Sequence, residues 1–75
     1  MQVNVTVSDL AHGFTRPREC PLWHAITRAA HTQDVQVGIF NVWINGRPHP
    51  LPQDVSRWLL SSIAGIRSRP ITFDL

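Results

Sequence analysis

Seventy-five residues with a formal charge of +2 leave room for one domain with a thin core, and little room for a substrate cleft. A single Cys excludes an internal disulfide and fits a reducing compartment. No apolar run approaches the roughly 20 residues of a membrane span, and the N-terminus lacks a signal-peptide pattern; the chain is expected to be complete as written, cytoplasmic and without a membrane partner. All seven cations are Arg and none is Lys, which GC-rich coding explains more simply than anion recognition does. The small net charge draws an anionic partner only weakly.

Residues 2–7 alternate, which predicts a half-buried strand with Val3, Val5 and Val7 inward and Gln2, Asn4 and Thr6 outward. Ser8 and Asp9 are placed to cap a short turn through Gly13, and Pro17 makes 14–19 a loop. The clearest helix covers 21–31. Pro21 suits its first position, where a missing N–H costs nothing, and Cys20 becomes the N-cap. At about 100° per residue, Leu22, Ala25, Ile26 and Ala29 form a core-facing arc flanked by Trp23 and Ala30. Thr27, His24, Arg28 and His31 form the opposite side.

Residues 35–38 and 39–44 predict two short strands. Val35 and Val37 point inward; Phe40, Val42 and Ile44 share the core face, and Ile39, Asn41 and Trp43 the other. Asn45-Gly46 is a two-residue hairpin signal, because both positions tolerate positive φ. A strand over 47–51 follows, and Pro48 and Pro50 make it an edge because they cannot donate to a ladder. A second helix over 52–64, opened by Pro52, aligns Val55, Leu59, Ser62 and Ile63 inward, with Trp58 and Leu60 at its flanks. Gly65 suits its C-cap. After the linker 67–70, a last strand points Ile71, Phe73 and Leu75 inward. The order β-α-β-β-(β)-α-β predicts a single α+β domain over 1–75. It would be a two-layer sandwich with two helices on one face of a small, mainly antiparallel sheet, with a ferredoxin-like arrangement as the nearest template.

Taken together, the Val3-Asn4-Val5-Thr6-Val7 strand, Cys20-Pro21 opening a helix that continues through Ala29, the Asn45-Gly46 hairpin, Leu51-Pro52 and the closing Pro70-Ile71-Thr72-Phe73-Asp74-Leu75 form a pattern. It resembles small proteins encoded by phages and prophages of GC-rich bacteria, over nearly the whole chain. The resemblance implies no catalytic residue. It implies a phage protein at work inside a bacterial host cell, where such proteins often inhibit host machinery, CRISPR effectors included, by binding it.

The residues themselves offer four constellations. Cys20 and His24, four apart on one helix, contain the minimum of a thiolate–imidazole pair, but no third residue stands at a telling spacing to orient them; a small capping Cys beside a surface His is the simpler reading. Cys20, His24 and His31 share a side, and zinc would need a fourth ligand such as His12 or His49; the spacing matches no finger, so no metal or other cofactor is expected. Arg16-Pro17-Arg18 and Arg67-Ser68-Arg69, with Arg28 and Arg47, could form a phosphate-binding patch for nucleic acid, though no DNA-binding motif accompanies them. Finally, His24, Arg28 and His31 lie in one line on the first helix, and Ile39 and Trp43 project from the open sheet face. These five are the expected contacts with a protein partner, either a bacterial host complex or a second copy of the chain. The leading expectation is a non-enzymatic inhibitor that binds a host defence complex; the alternative is a small nucleic-acid-binding module.

Overall fold

The structure is a computed structural model that describes residues 1–13 and 20–75; Arg16 and Arg18 lie outside the described residues. It is a small α+β fold. In chain order it contains β1 (Gln2–Val5), α1 (Val7–Leu10), α2 (Pro21–Ala30), β2 (Val35–Val37), β3 (Asn41–Ile44), β4 (Arg47–Pro50), α3 (Gln53–Ile63) and β5 (Ile71–Asp74). The strands form two antiparallel sheets, β1–β5 and β2–β3–β4, where the strand count alone suggested one. Among the described residues, no helix is long and apolar enough to cross a membrane.

The core joins both sheets to α2 and α3. Val3 and Val5 of β1, Leu22, Ala25 and Ile26 of α2, Val42 and Ile44 of β3, Val55 and Leu59 of α3 and Phe73 of β5 are all buried in one cluster. The alternation in β1 and the apolar arc of α2 are thus realised as read from the pattern. The Asn45-Gly46 turn has φ of 51° and 77°, which suits the mirror-image turn that matches strand twist.

Three local departures have clear causes. The first strand stops at Val5 because Thr6 and Asp9 form a capping box. The Thr6 hydroxyl accepts from the Asp9 N–H, the Asp9 carboxylate accepts from the Thr6 N–H, and α1 starts. Val7, expected inward, is therefore 71% exposed. Gly38, Ile39 and Phe40 are a connection rather than strand, closed by the Gly38 N–H on the Asn41 carbonyl. The bend turns Phe40 outward, to 67% exposure, although its parity matches Val42 and Ile44. In the last turn of α3 Ile63 is exposed, and Ser62 is buried where it accepts from the Ser68 hydroxyl. Trp43 and Ile39, expected outward, are each 39% exposed.

Candidate functional site

Two surfaces concentrate functional side chains. The first is polar and lies where α1 meets α2. Its centre is Asp9, 4% exposed. Arg28 reaches it across 19 residues and donates through both terminal nitrogens to its two oxygens, at 3.0 and 2.8 Å. The same guanidinium donates to the Asn4 carbonyl of β1 at 2.7 Å. Burial alone would raise the Asp9 pKa, but the hydrogen bonds from Arg28 and Thr6 outweigh it and lower the group from 3.8 to about 2. Arg28 is raised in turn by the hydrogen bond to Asp9. The pair ties α1, α2 and β1 together.

Beside it, the His12 ring stacks on His24 with centroids 4.1 Å apart, and Trp23 meets His24 edge-on. His24 Nε2 is buried with no hydrogen-bond partner among the described residues. Trp23 Nε1 donates to the Val35 carbonyl of β2. Ser8, Thr27, His31, Thr32 and Gln33, with Asp9, His12, His24 and Arg28, line an open groove of about 620 Å³.

The residues expected to form one exposed line on α2 therefore differ from one another. His24 is half-buried beneath His12. Arg28 is exposed, but its guanidinium is engaged by Asp9 and Asn4. His31 is exposed and ends the helix at φ 55°. Cys20 caps α2 as the spacing suggests, its sulfur accepting from the Trp23 N–H. It is buried, and burial pushes its thiol pKa up despite the backbone hydrogen bonds, so the thiolate a nucleophile requires is disfavoured. Among the described residues, no group of three or more His, Cys, Asp or Glu side chains is placed to hold a metal ion.

The second surface is apolar and lies between β3 and α3. Phe40, 67% exposed, and Leu60, 44% exposed, line a groove of about 460 Å³ with Leu51, Gln53, Ser56 and Arg57. The Leu51 N–H on the Phe40 carbonyl holds the floor to the strand. Ile39 precedes Phe40 in the chain. Trp43 of β3 lies over Gly38, where an added Cβ would stand 3.1 Å from the ring. Ile39 and Trp43 are each partly exposed, but neither lines this groove. Strand parity puts Phe40 on the core face and helical spacing puts Leu60 at a flank; the bend at 38–40 turns Phe40 outward to share this groove with Leu60.

The arginines expected to meet nucleic acid are spread over separate elements. Arg47 opens β4, while Arg67 and Arg69 lie in the connection from α3 to β5, all three exposed. The Arg69 carbonyl accepts from Trp58 Nε1. Among the described residues, the one ion pair is Arg28–Asp9. No protein-family model matches the chain, and no curated protein or solved structure is significantly similar to it.

Proposed function

We propose that this chain is a non-enzymatic binding protein, phage-encoded, that inhibits a bacterial defence complex such as a CRISPR effector by docking its Phe40–Leu60 surface on it. The observation that carries the binding reading is the exposure of Phe40 and Leu60 around one groove, with partly exposed Ile39 preceding Phe40 in the chain. Large apolar side chains gathered on the surface of so small a chain mark a contact, and a central aromatic anchor is what dominates such interfaces. Arg57 at the rim suits a partner that sets a carboxylate beside its apolar insert. The resemblance to phage proteins supports the setting.

The test is phage plating on bacteria with an active CRISPR system, with and without the chain expressed, paired with binding of the purified chain to the purified effector. Restored plating and saturable binding, both lost in Phe40→Ala, are expected. Binding by Phe40→Ala equal to that of the parent would overturn the surface assignment. Plating that is unaffected across effector types would overturn the inhibitor reading.

A further inference from the structure

The strand edges of the fold are guarded unequally. In a two-residue hairpin the residues flanking the turn exchange hydrogen bonds, and the pattern alternates along an antiparallel pair. In β3–β4 the pairs Ile44/Arg47 and Val42/His49 are therefore bonded, in step with the Leu51 N–H on Phe40. The residues of β4 whose nitrogens face away from β3 are Pro48 and Pro50, and neither has an N–H to offer. In β2 the same alternation, in step with the Gly38 and Asn45 bonds, turns the backbone N–H and C=O groups of Val35 and Val37 away from β3. Val35 is satisfied on both sides, its carbonyl by Trp23 Nε1 and its N–H by Gln33, while the outward groups of Val37 have no hydrogen-bond partner among the described residues. On β1 the outward Asn4 carbonyl carries the Arg28 guanidinium.

The edge of β5 has no such device. Met1 and Leu75 exchange hydrogen bonds, so Val3/Phe73 and Val5/Ile71 are bonded pairs, while Thr72 and Asp74 turn their N–H and C=O groups away from β1. Both residues are exposed, and none of these four groups has a hydrogen-bond partner among the described residues. An open strand edge is a template for another strand.

We propose that the occupant is β5 of a second copy, antiparallel, about a twofold axis at Phe73. The sequence of the strand is self-complementary in that register. Each Thr72 N–H meets an Asp74 carbonyl of the other copy, and each Asp74 N–H a Thr72 carbonyl, so all four edge groups of each chain are used. Opposite side chains match as well. Thr72 faces Asp74 on the polar side, while Phe73 faces Phe73 and Ile71 faces Leu75 on the apolar side. The two small sheets become one of four strands, in the order β1–β5–β5–β1, which also relieves the weakness of an isolated two-stranded sheet.

Sedimentation of the full chain from micromolar to millimolar concentration tests this, together with amide hydrogen exchange at both extremes. A dimer is expected, with Thr72 and Asp74 amides protected only as it forms. Thr72→Pro copies the device of β4 onto β5. It removes no bond to β1, because the Thr72 N–H points away from that strand, and it removes two of the four bonds at the seam. Its dissociation constant should rise about 100-fold. A chain that stays monomeric at millimolar concentration, a dimer whose Thr72 and Asp74 amides exchange freely, or a folded Thr72→Pro that associates like the parent would each overturn the proposal. If Thr72→Pro fails to fold, the exchange measurement on the parent decides.

Discussion

Helices α2 and α3 have similar apolar patterns and opposite fates. α2 is tied at every turn: Cys20 caps its start, Trp23 reaches β2, and Arg28 reaches both α1 and β1. Its polar side is thus spent largely on internal bonds. α3 has Pro52 at its N-cap, with no side-chain cap hydrogen bond, and leaves Leu60 and Ile63 exposed. Its apolar arc is wider than the core it covers, and the surplus faces solvent. A helix whose polar groups are consumed within the fold contributes rigidity, whereas one whose apolar surface exceeds its burial has something left for a partner.

The largest effect that sharpens this contrast is in the core. Ile26→Ala removes a side chain with no exposure and should cost roughly 2–5 kcal/mol. In so small a domain that approaches the whole stability, so denaturant titration should show a population unfolded without denaturant. Equal tolerance of Ile26→Ala and Leu60→Ser would break the comparison.

Next comes the tie between α1 and α2. Arg28→Ala leaves a buried carboxylate short of its main partner and should destabilise by about 1–3 kcal/mol. It should also change the acid limb. The folded pKa of Asp9 lies below the unfolded value, so its contribution is fully present above about pH 4 and is lost as pH falls toward 2. Melting between pH 5 and 2 should show this loss in the parent and much less of it in Arg28→Ala; parallel curves would show that Asp9 is not held by Arg28.

A smaller effect is expected at the bend that exposes Phe40. In Gly38→Ala the new Cβ would stand 2.9 Å from the Asn41 carbonyl oxygen and 3.1 Å from the Trp43 ring. Overpacking of this kind costs roughly 1 kcal/mol or more. It should shift Trp43 fluorescence along with the melt, and a melt identical to that of the parent would mean the bend yields freely.

Smallest for the fold is Leu60→Ser on the exposed side of α3. Its melting should stay within about 0.5 kcal/mol of the parent, while binding to the proposed partner falls. A large loss of stability would move Leu60 into the core and remove the apolar surplus.

Much of this was legible from short-range pattern. The alternation of Val3 and Val5, the arc of Leu22, Ala25 and Ile26, the positive-φ turn at Asn45-Gly46 and the edge prolines each depend on residues within a few positions of one another, where geometry is set by local sterics. The capping box was also present as Thr6 followed three residues later by Asp9, but the run of valines through Val7 masked it. What the tertiary structure alone decided is non-local. Asp9 finds Arg28 only because α1 folds back on α2. Phe40 leaves the core because Gly38 closes onto Asn41 before the strand begins. The strands divide into two sheets, and the edge of β5 stays open while that of β4 is closed. Periodicity assigns a side chain to a face, but which face meets which element depends on register and crossings between distant segments, and the pattern of apolar residues along the chain carries no record of those.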